Sequence, residues 1–248
     1  MSRPLALVTG GLHRVGAAIA AALAGAGYDL ALHRRREGEP DAELADAIAA
    51  SGAGHGIFSA DLGAAGAAES LFADVTRHFD RPPALIVNNA SLFAEDGIDG
   101  LDRRGLDAAL AINLTAPVLL AQALFASGGG GAVINILDQR VVNPVPDQIA
   151  YTIAKQALWQ ATRTLAVACA PRVRVNAVAP GLTLPTPGYE DGRMERMAGL
   201  MPLQRLAAPR DIADAVLYLA RAESVTGQTI FVDAGANLRG FARDFAHL

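Results

Sequence analysis

The chain's single lysine stands four residues after one of its four tyrosines, Tyr151 and Lys155. Ala150 to Ala168 has few breakers and a helical apolar rhythm, which puts both side chains on one helix face, one turn apart. A phenol beside an ammonium is a candidate acid/base unit. Free tyrosine titrates near ~10, and a neighbouring cation favours the phenolate and brings it toward working range. The other basic residues are twenty arginines, and an arginine here would lack the compact, rotatable ammonium that can bond ribose hydroxyls. Asp138, thirteen residues before the tyrosine, is the third candidate.

Such a set must be carried by a scaffold, and the sequence supplies alternating strands and helices. Leu5 to Val8 reads as a buried strand, followed by Thr9-Gly10-Gly11-Leu12-His13-Arg14-Val15-Gly16 and an alanine-rich helix to Ala26. Glycines at 10 and 11 let backbone approach a phosphate, and the helix start offers N–H groups and a positive dipole end. Tyr28 to His33 is the second strand and runs into Arg34, Arg35 and Arg36, with no acid before Glu37. That end of a dinucleotide-binding sheet faces the adenosine ribose, where arginine pairs with a 2′-phosphate. NADPH is therefore favoured over NADH, with Arg34 and Arg35 as contacts. Asp61 and Leu62, after the strand Gly56 to Ser59, suit the adenine edge.

Ala84 to Val87 ends in Asn88-Asn89-Ala90-Ser91-Leu92-Phe93, at the strand end where ligands bind in open α/β sheets. Phe93 could stack on a flat ring or cover the core. Leu106 to Phe125 is expected as one long helix carrying Asn113, whose buried amide needs a partner such as a backbone carbonyl or a water leading to Lys155. The strand Ala132 to Leu137 delivers Asp138, and Arg172 to Val178 ends in Ala179-Pro180-Gly181-Leu182-Thr183. Residues 184–204, rich in proline, glycine and charge, read as a substrate flap with a short helix at Glu190 to Leu200; Leu184, Tyr189 and Met197 are expected to set substrate choice. A helix from Asp211 to Ala220 and a strand from Thr229 to Val232 close the pattern. The alternation implies an α/β fold over residues 1–248, one domain with a doubly wound parallel sheet of about seven strands and helices on both faces.

Composition narrows the function classes. Apolar residues are 52%, charged residues 19% and net charge −4, so there is no basic stripe to expect on nucleic acid. Cys169 is the single cysteine, so no intrachain disulfide forms. No run of about 18 apolar residues predicts a membrane span, and no signal-peptide pattern opens the chain; no metal set is read either. A cytoplasmic enzyme is the expectation.

Together, Thr9-Gly10-x-x-x-Arg14-x-Gly16, Asn88-Asn89-Ala90, Asn113, Tyr151-x-x-x-Lys155, Pro180-Gly181 and Val225 to Gly235 resemble the short-chain dehydrogenase/reductase family, with its Rossmann-type sheet, over about residues 5 to 240. Two positions depart from the common pattern: Arg14 replaces a third glycine, and Asp138 replaces the catalytic serine. With Asn89 to Phe93, these resemble the family's pteridine reductases and bacterial dihydromonapterin or dihydrofolate reductases. The resemblance implies Asp138, Tyr151, Lys155 and Asn113 as the catalytic set. It implies cofactor contacts from Gly10, His13, Arg14, Val15, His33, Arg34, Arg35, Asp61, Leu62, Asn89, Ala90, Ser91, Tyr151, Lys155, Pro180, Gly181 and Thr183. It implies substrate contacts from Arg14, Ser91, Phe93, Asp138 and Tyr151, and a homotetramer built on the long helices and the last strand.

The chemistry points the same way. A serine donates to a carbonyl oxygen awaiting hydride, whereas an ionised carboxylate repels that oxygen as charge grows. Asp138 suits a substrate rich in N–H donors, or one whose ring nitrogen gains a proton, and a 2-amino-4-oxo-pterin has both features. Two rivals stay open: an NADPH-dependent carbonyl or 3-oxoacyl reductase in which Gln139 or a water fills the serine's role, and a non-catalytic NADP-binding regulatory protein.

Overall fold

The computed structural model describes residues 3–93, 97–185, 192–245 and 247–248. Seven parallel strands form one sheet: β1 (Leu5–Val8), β2 (Asp29–Arg34), β3 (His55–Ser59), β4 (Leu85–Asn88), β5 (Gly131–Ile136), β6 (Val173–Pro180) and β7 (Thr229–Val232). Their order is β3-β2-β1-β4-β5-β6-β7, so the winding reverses between β1 and β4. At that switch point the strand ends Val8 and Asn88 open a crevice, the place where such sheets bind ligands.

Strand side chains alternate between two cores. On β1, Ala6 and Val8 face α1 (Arg14–Gly25) and α8 (Pro209–Arg221), packing with Ile19, Leu23, Ile212 and Val216. Leu5 and Leu7 face the other way, against Leu71 and Val75 of α3 (Ala67–Phe79) and Leu120 and Leu124 of α5 (Ala116–Ala126). Each fully buried large aliphatic contributes about 1.5–3 kcal/mol, and burial on both faces explains why these strands read as continuous apolar runs. Helix α2 (Ala42–Ser51) lies against α1 and ends at Gly52, whose φ of 62° closes the helix in the left-handed region.

The single long helix expected over Leu106 to Phe125 is in three pieces. Helix α4 (Arg103–Leu110) passes into a π turn, Ala111–Thr115, and then into α5. Pro117 is the cause: it has no N–H for the Asn113 carbonyl, and its ring crowds that oxygen. The whole stretch Arg103–Ala126 is apolar and long enough to cross a bilayer by composition, yet Leu120, Ala121 and Leu124 are buried against α3 and the sheet. The sixth strand extends two residues past its expected end, to Pro180, which pairs with Val232. Of the expected flap, Glu190 and Tyr189 lie outside the described residues, and its helix is α7 (Arg193–Leu200).

Candidate active site

Helix α6 (Ile149–Ala168) carries Tyr151 and Lys155 on its buried face. Its register on the sheet is set by a buried polar ladder: Asn88 Nδ2 donates to Asn135 Oδ1 at 2.8 Å, Asn135 Nδ2 to Thr162 Oγ1 at 2.9 Å, and Thr162 Oγ1 to Leu158 O at 2.8 Å. These bonds join β4, β5 and α6 in turn, which makes sliding of the helix costly. Before α6, Gln148 is 1% exposed and left-handed, with φ 47° and ψ 57°. An L residue held there signals over-determination by its surroundings.

Lys155 donates from Nζ to Ile136 O at 2.7 Å. Burial lowers its pKa to about 8, with the Asp138 charge opposing. Its Nζ lies 5.7 Å from the Tyr151 ring centroid. Tyr151 donates its hydroxyl to Asp138 Oδ2 at 3.1 Å. Here a sequence expectation fails: the tyrosine pKa is raised, not lowered, because burial and then the Asp138 charge disfavour the phenolate, while Arg140 acts against them. Lysine proximity counts for less than desolvation and a carboxylate at hydrogen-bond distance.

Asp138 caps the short turn Gln139–Val141, accepting at Oδ1 from Arg140 N at 2.9 Å and Arg140 Nε at 3.1 Å. Oδ2 is left toward Tyr151. Phe93 stands edge-on to Tyr151 with ring centroids 4.9 Å apart, and the Arg140 guanidinium lies 5.5 Å from each ring. These groups border a cavity of ≈ 210 Å³ that is also lined by Arg14, Val15, Leu137, Gln139, Pro180, Gly181, Leu182, Thr183, Leu184, Asp244 and Phe245.

The glycine turn sits at the mouth of the same cavity. Gly10, at φ 60°, donates its N–H to His33 Nδ1 at 3.1 Å, so His33 Nε2 must carry the proton it gives to Ala60 O at 3.0 Å. Asn89 ties the turn from the β4 side, donating Nδ2 to Thr9 O and Gly10 O at 3.0 Å, while Ala90 N donates to Thr9 Oγ1 at 2.9 Å. A Cβ on Gly16 would lie 2.0 Å from Gly10 O, and one on Gly181 2.8 Å from Asp233 Cβ. Arg14 is left-handed at φ 56°, held by donation of its N–H to Asp41 Oδ2 at 2.8 Å and of its guanidinium to Pro185 O at 3.1 Å. His13 donates to the other Asp41 oxygen at 2.7 Å. This cradle fits an extended dinucleotide: backbone approaches closely at Gly10 and Gly16, and the start of α1 faces the crevice.

Of the residues singled out in the sequence, Arg14, Val15, Phe93, Asp138, Tyr151, Pro180, Gly181, Thr183 and Leu184 meet in one cavity. Gly10, His33, Asn89 and Ala90 shape the turn beside it. Arg34 spends its guanidinium on Gly38 O at 2.6 Å and Ser59 Oγ at 3.0 Å, whereas Arg35 is exposed and has no partner among the described residues. Asp61 accepts from Gly63 N at 3.0 Å, which fixes the turn holding buried Leu62. Asn113, fully buried on the π turn, accepts from Ser91 Oγ at 2.8 Å and Leu92 N at 3.1 Å and donates to Leu92 O at 2.9 Å. Its partner is therefore a backbone carbonyl, and it braces the loop that carries Ser91 and Phe93. Met197 lines no part of the cavity but packs with Met201 and Ala236 behind Phe245.

Sequence reasoning missed Arg140, Asp244 and Phe245. The one available signal was Arg140 itself, a cation two residues after Asp138. Asp244 is 104 residues away from it and gives no local signal.

A doubly wound parallel sheet with a glycine cradle at its switch point and a Tyr-Lys pair beside it defines a nucleotide-dependent oxidoreductase. The chain belongs to the short-chain dehydrogenase/reductase family; residues 11–237 match the family model described as enoyl-(acyl carrier protein) reductase. It is similar to the FolM alternative dihydrofolate reductase 1 of Brucella canis, solved in complex with NADP, with 39% identity, TM-score 0.87 and 96% of each chain covered. An uncharacterized oxidoreductase of Mycobacterium tuberculosis is 35% identical over 93% of this chain and 91% of its own. The (3R)-3-hydroxyacyl-CoA dehydrogenase of Canis lupus familiaris is 32% identical over 93% and 95%.

Proposed function

We propose that the protein is an NADPH-dependent pterin reductase that converts a 7,8-dihydropterin, dihydromonapterin or dihydrofolate to the tetrahydro form. The observation that carries this reading is the carboxylate of Asp138 at the cavity wall, 3.1 Å from the Tyr151 hydroxyl and opposite the exposed ring of Phe93. Likeness to a dihydrofolate reductase solved with NADP supports it. The turn built by Gly10, Gly16 and Asn89 would hold NADPH, which would supply the hydride for C6 of the N5=C6 bond. Phe93 offers a face for the flat pterin, with Arg14 and Ser91 at its edge. Asp138 accepts from the heterocycle's N–H groups, and the proton gained by N5 passes through the Tyr151–Asp138 pair. Lys155, with its ammonium beside Tyr151, holds the ribose. Arg35 is the 2′-phosphate contact with a free guanidinium, and Arg34 shapes the turn beside it. A cytoplasmic homotetramer completes the proposal, checked by light scattering of the purified enzyme and cell fractionation.

The test is NADPH oxidation with dihydrobiopterin, dihydromonapterin and dihydrofolate beside a ketone panel. Pterin turnover without ketone turnover is expected, and Asp138→Ser should cut it about 10²-fold or more. Brisk ketone reduction with pterins ignored would favour the carbonyl or 3-oxoacyl reading. That second reading draws on the hydroxyacyl-CoA dehydrogenase relative and on Gln139, whose buried side chain lines the cavity with Oε1 unpartnered among the described residues.

A further inference from the structure

Behind the catalytic turn, the C-terminal segment is tied to Asp138 by a line of buried charges. Arg140, with its side chain 6% exposed, donates Nε to Asp138 Oδ1 at 3.1 Å, one terminal nitrogen to Gln148 Oε1 at 2.9 Å and the other to Asp244 Oδ2 at 2.5 Å. Asp244 donates its backbone N–H to Asp147 Oδ2 at 2.7 Å, and Arg243 grips the same Asp147 carboxylate from Nε and a terminal nitrogen at 2.7–3.0 Å. Next to them, Phe245 is buried against Met197 and Met201.

We propose that Arg140 and Asp244 are positioning residues for Asp138: the C-terminal segment fixes the guanidinium, and the guanidinium fixes one carboxylate oxygen so that the other faces Tyr151 and the substrate. The selectivity this confers rests on the pterin reading; the positioning itself does not. A guanidinium carries its donors in a rigid planar fork. Three of its edges meet acceptors on three separate segments: the catalytic turn, the residue before α6 and the C-terminal segment. The first two acceptors, Asp138 and Gln148, are ten residues apart in one stretch of chain; Asp244 braces the remaining edge of the fork from a distant segment. Asp138 Oδ1 is fully engaged by the Arg140 N–H and Nε, so Oδ2 is the oxygen left for proton traffic. Lys155 spends a donor on Ile136 O and Arg14 one on Pro185 O. Arg140 is the cation bonded to the catalytic carboxyl. Its side chain also borders the cavity, so displacement of the fork would be felt where substrate sits.

The experiment is a double-mutant cycle of Asp244→Ala and Asp138→Asn in the full-length enzyme. Steady-state NADPH oxidation is followed on whichever dihydropterin or ketone the wild type reduces. Asp244→Ala is expected to lower kcat about tenfold with KM for NADPH unchanged, and to cost less than about twofold when Asp138 is already Asn. Arg140→Lys should repeat the loss, because an ammonium cannot span the three acceptors. Equal losses in both backgrounds, or undiminished kcat in folded Asp244→Ala, would overturn the proposal. Should the alanine chain fail to fold, Asp244→Asn keeps the shape and weakens the charge, and the same non-additivity is expected of it. A wild type that reduces ketones and ignores pterins sinks the functional reading, while the cycle run on the ketone still decides the coupling.

Discussion

The two halves of the cavity are held by different means. On the cofactor side, the glycine turn is fixed by backbone groups and short polar side chains: Asn89 to Thr9 O and Gly10 O, His33 to Gly10 N, Asp41 to Arg14 N. On the substrate side, the carboxyl is fixed by ion pairs that join residues 96 and 104 apart, Asp147 with Arg243 and Arg140 with Asp244. The first arrangement tolerates almost no change of shape, since a Cβ has nowhere to go. The second tolerates shape but depends on charge, because Arg140 and Asp244 are both buried and removing one strands the other in a dry setting. A substrate wall can therefore diverge while the cofactor cradle beside it stays the same.

Lys155 is buried with its Nζ 5.7 Å from the Tyr151 ring centroid, and its removal should do the most damage. Lys155→Met is expected to lower kcat/KM about 10²–10⁴-fold, the usual span for loss of an acid/base element. Its pH dependence has a definite sign. Burial puts the folded pKa at about 8, below the ordinary 10.5, so the ammonium is present below pH 8 and lost above it. The alkaline limb of kcat/KM should fall near pH 8 and be absent from the residual rate of Lys155→Met. The same depression means that folding must tolerate a buried ammonium at neutral pH, so this group's share of stability grows as pH rises from 8 toward 10.5. A profile flat to pH 9.5 would dissociate Lys155 from turnover.

Next in size is Gly16→Ala. With Gly10 O 2.0 Å from the new methyl, either the turn or α1 must move, at a cost of about 1–3 kcal/mol. Urea unfolding should show that loss, and NADPH affinity should fall with it. If the halves are independent, the ranking of pterin substrates stays as in the wild type; a changed ranking would break the comparison.

The legibility of the two halves follows the same division. Strand, glycine turn and helix around Thr9 to Gly16 are contiguous, so spacing alone reported the cradle, and β1 and β7 fall where the sequence put them. Tyr151 and Lys155 were legible because a helix turn fixes their separation. Three things were not. The break at Asn113 depends on Pro117, whose effect on the carbonyl four residues back was not weighed. The Tyr151 shift depends on burial, which a sequence does not state. The anchor of Asp138 depends on Asp244, and a pairing over 104 residues leaves no periodic trace.

A smaller effect separates the two arginines at the end of β2. Arg34 is committed to Gly38 O and Ser59 Oγ, so its loss should disturb the turn for either cofactor. Arg35 is exposed, with no partner among the described residues, and Arg35→Glu should shift preference from NADPH toward NADH about tenfold, the scale of one charged hydrogen bond. Measured kcat/KM for both cofactors gives the ratio, and an unchanged ratio would move the 2′-phosphate contact elsewhere, to Arg36 or His13.

The smallest effect tests whether the cradle has any dependence on charge at all. His33 is 2% exposed and bridges Gly10 N and Ala60 O, which requires the neutral ring with its proton on Nε2. Protonation at Nδ1 would replace an acceptor by a donor facing the Gly10 N–H. Burial is the main cause that pushes the His33 pKa below its ordinary value, against the Ala60 carbonyl and the Asp61 charge. The neutral form is thus favoured in the fold, so its contribution is complete above the unfolded histidine pKa and is lost as pH falls through the lower folded one. NADPH affinity, followed by fluorescence titration, should hold steady near neutrality and weaken only about fivefold in mild acid, the worth of one hydrogen bond of ~1 kcal/mol. His33→Phe should lower affinity by a similar factor and flatten the dependence. A wild-type acid limb that survives in His33→Phe would assign it to the other side of the cavity, and the cofactor half would then be held by shape alone.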